Sequence, residues 1–237
     1  MPKPTREKFK TYKAVFDEKT NRNLFELASK GHFEEGTIST IKIGKEANIF
    51  SAKKKDGSKI IIKIYRVNNC DFNRMFDLLK QDPRFPKLTK NRRKIVYAWA
   101  SREFKNLHRA RDAGVRVPTP YVLKENILLM EFIGDEQPAK QLKDQLPENK
   151  EFLALIIENM KKLYKEKLVH GDLSHFNILN YHNEPVFIDF SQAIEINTLH
   201  SEEMLARDIR NIANFFNKTG IGTTEEYIRK KIIPKTK

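Results

Sequence analysis

Three residues of this chain are spaced for chemistry: Asp172, Asn177 and Asp189, within the stretch LVHGDLSHFNILNYHNEPVFIDFS (168–191). Asp172 precedes Asn177 by five positions, and Asp189 follows the apolar run Val186–Ile188. Phosphoryl transfer to a hydroxyl needs a carboxylate that orients the acceptor and oxygen ligands that hold Mg²⁺ on nucleotide phosphates. Asp172 suits the first task. Asn177 and Asp189 suit the second, because Mg²⁺ prefers hard oxygen ligands in octahedral geometry. Each residue alone has a plainer use, as a turn cap or a strand end. The ordered set His170, Asp172, Asn177, Asp189-Phe190-Ser191, with apolar flanks throughout, points instead to the H-x-D-x-x-x-x-N and Asp-Phe-Gly-like elements of kinases.

The elements that must position this set follow from periodicity. In Lys59–Tyr65, alternation puts Ile60, Ile62 and Ile64 on one face and Ile61, Lys63 and Tyr65 on the other. A lysine in so apolar a strand needs a partner, because an unpaired buried charge is costly. The spacing predicts a long amphipathic helix over Arg93–Ala113, stopped at Gly114, whose apolar stripe Val96, Trp99, Ala100, Leu107, Ala110 is interrupted by Glu103. Lys63 and Glu103 thus form the expected ion pair beside the nucleotide phosphates. Further strands are expected at Thr37–Ile43, Ala47–Lys53, Tyr121–Leu123, Ile127–Ile133 and Val186–Asp189, with a hairpin turn at Asp56-Gly57. Helices are expected at Asn23–Lys30, within Asp71–Gln81, and at Glu151–Lys165 and Glu202–Asn217, the last substantial one. The class is α+β: a strand-rich front with one main helix (about residues 1–131, including the N-terminal helix) and a mostly helical back (about 132–237), two lobes of a single domain joined near Glu131–Gln137.

Composition bounds the rest. The chain has 237 residues, 39% of them hydrophobic, 45 Lys+Arg against 31 Asp+Glu and a net charge of +14. That much apolar content excludes a disordered chain. Its single cysteine, Cys70, excludes an internal disulfide or a Cys-rich zinc site. No run approaches the ~18 apolar residues of a membrane span, and the start, MPKPTREKFK, lacks the apolar stretch of a signal peptide, so a cytoplasmic location is expected. With nine glycines there is no G-x-G-x-x-G; Gly220-Ile221-Gly222 reads as a turn. The turn Gly44-Lys45-Glu46, between the first two strands, places one glycine and Lys45 where phosphates could be covered.

Taken together, Gly44-Lys45-Glu46-Ala47-Asn48-Ile49-Phe50, Lys63-Ile64-Tyr65-Arg66, Leu129-Met130-Glu131-Phe132-Ile133-Gly134, Leu168-Val169-His170-Gly171-Asp172-Leu173-Ser174, Phe176-Asn177 and Ile188-Asp189-Phe190-Ser191-Gln192 resemble the RIO family of atypical serine/threonine protein kinases, most closely its type-one subfamily in a minimal, archaeal-like form. The resemblance runs from about Asn23 to Asn217. It implies a two-lobed protein-kinase-like fold with an N-lobe antiparallel sheet and a reduced helical C-lobe, trimmed of the activation segment. It also implies Asp172 as catalytic aspartate, and Asn177 and Asp189 as ligands of Mg²⁺ or Mn²⁺. By the same resemblance Asp189 would double as a phosphoaspartate site and so count as catalytic too. Lys63, paired with Glu103, and Lys45 would meet ATP phosphates, while the backbone of Glu131 and Ile133 would bind adenine with Met130 behind it. Lys42-Ile43 stand before Gly44 where the family usually carries Ser-Thr, and Gly171 stands where ordinary kinases carry the arginine that senses loop phosphorylation.

The resemblance further implies ATP hydrolysis and protein phosphorylation in late maturation of the small ribosomal subunit. Two basic segments offer an anionic surface its contact: Arg84–Lys94, with six basic and no acidic residues, and Tyr227–Lys237, with five and none. Neither carries aromatic RNA-reading motifs, so sequence-specific recognition is not expected. The alternatives are the small kinase of the tRNA threonylcarbamoyl-modifying complex, an aminoglycoside- or choline-type kinase, or an assembly factor switched by nucleotide with little turnover. The 41-position step from Glu131 to Asp172 leaves small-molecule kinases little room for their helical insert, and the tRNA-complex kinase lacks the GKEAN turn.

Overall fold

The computed structural model describes residues 16–68, 70–148 and 150–233. Its front lobe is a five-stranded antiparallel sheet built from β1 (Ser39–Ile43), β2 (Ala47–Lys53), β3 (Lys59–Tyr65), β4 (Pro120–Lys124) and β5 (Ile127–Glu131), in the order β1-β2-β3-β5-β4. Ile60, Ile62 and Ile64 of β3, with Phe50 and Ala52 of β2, pack against Leu24 and Leu27 of helix α1 (Glu18–Ser29). The opposite face of β3 carries Ile61, Lys63 and Tyr65, as alternation requires. Helix α2 (Phe72–Lys80) and the long α3 (Arg92–Asp112) lie beside the sheet, with Trp99, Val96, Met75, Leu79 and Tyr65 in one cluster.

The back lobe is assembled on α4 (Glu151–Lys165), α5 (Ser201–Lys218) and α6 (Glu225–Ile232). Two small sheets hold the chemistry-bearing loops: β7 (Leu168–Val169) pairs with β10 (Ile194–Glu195), and β8 (Ile178–Tyr181) joins β6 (Lys140–Gln141) to β9 (Glu184–Phe187). Phe152, Phe187, Phe190, Ile209, Phe216 and Ile228 fill one core beneath them. This is a two-lobed kinase-like α+β fold.

Several boundaries differ from expectation, for local reasons. Helix α1 starts at Glu18 rather than Asn23 because Asp17 caps it, accepting from the Thr20 N–H at 3.0 Å. Strand β5 stops at Glu131, short of the expected Ile133, and β9 ends at Phe187, two residues before Asp189. Thr37 lies in a short 3₁₀ turn, so β1 starts at Ser39. The basic segment from Tyr227 is mostly helix α6: Thr224 caps it, acidic residues occupy its first turn and basic ones its last, and Ile228 and Ile232 are fully buried. Positions 234–237 of that segment, and residues 1–15 of the expected front lobe, lie outside the described residues.

Candidate active site

The two lobes face each other across a cleft of about 850 Å³ that brings together nearly every residue singled out above. Its walls carry an apolar set, including Ile49, Ile61, Met130, Ile133 and Leu179, and a polar set, Lys45, Lys63, Glu103, Asp172, Asn177 and Asp189. Lys63 Nζ donates to Glu103 Oε1 at 2.8 Å and to Asp189 Oδ1 at 3.2 Å, joining β3, α3 and the segment after β9. Lys63 and Glu103 are nearly inaccessible, whereas the Asp189 side chain stays 42% exposed to the cleft. Burial by itself lowers the Lys63 ammonium, but Asp189 and Glu103 overcome it and hold the charge firmly on. Burial alone would raise Asp189; Lys63 and the Ser191 hydroxyl, 2.7 Å away, bring it down to about 2. Asp189 has a left-handed backbone (φ 65°), uncommon for a residue with a Cβ and a form of strain that functional sites retain.

Across the cleft floor, Asn177 Nδ2 donates to the Asp172 carbonyl at 2.8 Å and to its Oδ2 at 3.1 Å. The amide nitrogen being committed, Oδ1 is the atom with which Asn177 can take a cation. Burial, and then the like charge of Asp189, push the Asp172 carboxyl up from its ordinary value. Among the described residues no group of three His, Cys, Asp or Glu side chains could cage a metal. A single carboxylate and an amide oxygen nevertheless fit Mg²⁺, which takes one or two protein oxygens and completes its shell with phosphate and water. Burial also holds His170 at about 4, so its ring is neutral and Nε2–H donates to the Ile188 carbonyl at 3.0 Å. His170 thereby pins the Asp172 loop to the residue before Asp189.

Two glycines beside Lys45 and Asp172 are required by geometry. A Cβ on Gly44 would lie 2.5 Å from the Ala47 carbonyl oxygen, so the turn that presents Lys45 to the cleft closes only without one. Gly171 has φ +79°, and a Cβ there would lie 2.9 Å from the Gln192 carbonyl oxygen. No arginine fits between His170 and Asp172 in this packing.

The adenine-side expectations meet one adjustment. The Glu131 N–H already donates to Thr119 O at 2.8 Å, so any nucleotide contact from its backbone would use the carbonyl. The Ile133 carbonyl accepts from the Ala139 N–H at 2.9 Å, so any adenine contact from this residue would use its N–H. The Glu131 carboxylate serves the fold: both its oxygens accept from Arg116, at 2.6 and 2.9 Å, and Oε2 also accepts from the N–H and hydroxyl of Thr119. Burial alone would raise this carboxyl, but Arg116 and Thr119 hold it at about 2, against an ordinary 4.5. The stabilisation is therefore complete above the unfolded value and is lost as pH falls toward 2. Thermal melts between pH 6 and pH 2 are expected to show a shallower acid loss in Glu131→Gln than in the parent; parallel curves would remove this role.

Sequence reading missed the residues that hold the loops from behind. Asp208 of α5 is fully buried and accepts from the Gly171 and Leu173 N–H groups, both at 2.8 Å. Burial pushes its carboxyl up to about 7 against the pull of those two donors. Asp208→Ala orphans both N–H groups, at about 1–3 kcal/mol each, and frees the backbone on both sides of Asp172. Urea unfolding and turnover are both expected to fall, and an unchanged midpoint would contradict the clamp. On α3, Asn106 Nδ2 donates to the Phe190 and Ala193 carbonyls at 3.0 Å, and buried Arg102 donates to Ala193 O at 3.1 Å. Arg74 of α2 reaches Gln192 Oε1 at 2.7 Å. The available signal is a polar residue on a helix's apolar stripe, the same signal that marks Glu103.

Comparison with known proteins agrees with this geometry. Residues 48–228 match the model of the RIO domain. The chain is 41% identical over 218 residues to a RIO-type serine/threonine-protein kinase Rio1 of Haloferax volcanii, covering 90% of this chain and 74% of that one. It is 40% identical over 232 residues to the Rio1 kinase of Methanocaldococcus jannaschii, covering 97% and 79%. Among solved structures it superposes on the Rio2 kinase of Chaetomium thermophilum, crystallised as an ADP/Mg²⁺-phosphoaspartate complex, with a TM-score of 0.68 at 22% identity over 90% of this chain and 66% of that one. With a family match over most of its length, and with a lysine, two aspartates and an asparagine meeting in one interlobe cleft, this chain belongs to the RIO family of serine/threonine-protein kinases.

Proposed function

We propose that this protein, acting as one two-lobed catalytic domain in the cytoplasm, uses Mg²⁺ and ATP for phosphoryl transfer and hydrolysis during maturation of the small ribosomal subunit. The observation that carries the reading is Lys63 reaching Glu103 at 2.8 Å and Asp189 at 3.2 Å across the lobes, over a floor formed by Asp172 and Asn177. Lys63 and Lys45 receive the phosphates, the Glu131 carbonyl and Ile133 N–H orient adenine, and Met130 closes the pocket behind it. Asp189 and Asn177 Oδ1 hold the metal, whose charge offsets that of the phosphates; Mn²⁺, with similar oxygen preference, fits the same pair. Asp172 accepts the hydrogen of the acceptor hydroxyl, and its raised carboxyl makes it a better base than an exposed aspartate. Asp189 also accepts phosphate itself, as an aspartate does in the Rio2 complex of Chaetomium thermophilum.

The ribosomal assignment is supported by charge. Arg92 and Lys94 stand at the positive end of α3, where cations are disfavoured unless an anion is near, while Arg93 between them is met by Asp17 at 3.6 Å. Lys87, Lys90 and Arg92 have no acidic partner among the described residues. A phosphate backbone suits this surface without base reading. The test supplies γ-labelled ATP and Mg²⁺, with and without purified small-subunit precursors, and follows ADP release and label. Precursor is expected to raise turnover, and label on Asp189 is expected to be sensitive to hydroxylamine, unlike label on serine or threonine. Nucleotide binding without hydrolysis or transfer under any condition would overturn the enzyme reading, and precursors without effect would overturn the ribosomal one. No helix among the described residues is long and apolar enough to cross a membrane.

A further inference from the structure

One feature beside Asp172 takes no part in holding nucleotide. Phe176, four residues after Asp172, has a ring that is 50% exposed although it lies in the loop that forms the cleft floor. The loop holds it in place: Gln141 Nε2 donates to its carbonyl at 2.6 Å and its N–H donates to Ser174 Oγ at 3.3 Å. His175 lies against Phe176 at 4.2 Å between ring centres and stacks on Phe215 of α5 at 4.8 Å, with 13° between planes. The three rings form a ledge. Lys143 Nζ stands 5.9 Å from the Phe176 ring centre and Lys143 also lines the cleft, so the ledge is continuous with the site. Lys218, the last residue of α5, lies one turn after Phe215 on the same helix face and completes the rim. Asp144, 2.8 Å from Lys143, is the acidic residue at this edge, and Lys140 adds a further cation along the cleft.

A rigid, exposed aromatic is an efficient contact, because little side-chain freedom is lost when a partner covers it. A rim of lysines selects charge. Lys143 joins this place to the cleft that holds Asp172, so an acceptor lying along that rim would meet the ledge. We infer that the Phe176–His175–Phe215 ledge docks an extended protein segment whose phosphorylated serine or threonine is flanked by an acidic residue that Lys143 and Lys218 recognise. This rests on the protein-acceptor part of the proposed function and adds its specificity.

The test uses two serine peptides identical except for glutamate or lysine at the flanking positions. The parent enzyme is expected to favour the glutamate peptide in kcat/KM, and Lys143→Glu and Lys218→Glu are each expected to lower that preference about fivefold, the scale of an exposed charge contact. Phe176→Ala is expected to raise KM for both peptides. Because the preference is a ratio within one enzyme preparation, loss of folded protein cancels. Equal use of both peptides, or a preference that both charge reversals leave unmoved, would overturn the inference. Reversals that weaken retention of a single-stranded RNA oligonucleotide yet leave peptide preference intact would overturn it in favour of RNA. Transfer to neither peptide by a parent enzyme that hydrolyses ATP would remove the protein-acceptor reading beneath it.

Discussion

Lys63→Ala is expected to cost about 3–5 kcal/mol of stability, because removing one member of a buried ion pair strands the other. Glu103 is 1% exposed, and its Oε2 already lacks a partner. Without Nζ at 2.8 Å, the carboxylate has no cation to offset its desolvation. Burial already pushes Glu103 up to about 7 with Lys63 in place, so the variant's Glu103 is expected to take up a proton and the loss to grow as pH rises. Urea unfolding at two pH values checks both statements, and Lys63→Ala combined with Glu103→Gln is expected to recover part of the loss. A cost below about 1 kcal/mol, the range of exposed pairs, would show that the pair is not buried in solution. Nucleotide affinity is expected to fall as well, since the same ammonium is the proposed phosphate contact.

Asp172→Asn is expected to reduce phosphoryl transfer by about 10²–10⁴-fold, the usual contribution of a positioned general base. The side chain keeps its shape, so ATP affinity is expected to hold. Stability is expected to rise slightly at neutral pH: burial and the Asp189 charge raise the Asp172 carboxyl, which means its ionised form is disfavoured in the fold. A residue that costs stability where it serves chemistry is common in active sites. Turnover kinetics with a thermal melt at pH 7 tests both halves, and transfer within a few-fold of the parent would remove Asp172 as the base.

Much of the site was legible because its signals are local. Lys63 follows from the two-residue period of a strand, and Glu103 from a helix stripe interrupted by one carboxylate. Asp172 and Asn177 stand five positions apart in one loop, a spacing that the chain carries on its own. Helix α6 is not among the expected elements, for the opposite reason. Its charge dominates an eight-residue segment, and only the fit of Ile228 and Ile232 into the back-lobe core shows that the charge is a solvated face.

What tertiary structure alone decided is which distant groups meet. Lys63 and Asp189 are 126 residues apart in sequence, and only the closing of β3 over the segment after β9 brings them within 3.2 Å. Asp208 lies 35 and 37 residues beyond the N–H groups it anchors, and although it falls on the apolar stripe Leu205–Ile209–Ile212 of α5, that stripe does not say which groups it meets. Arg102 and Asn106 read as ordinary polar positions until the 190–193 segment packs on α3 and offers them carbonyls. The sequence by itself determined the reactive groups, the strand face, the helix stripe and the excess of positive charge, all of which follow from composition and short-range periodicity. The supports behind the catalytic loop, the αL turn at Asp189 and the aromatic ledge beside Asp172 came from topology, because a buried polar group is stable only where a partner from another element satisfies it.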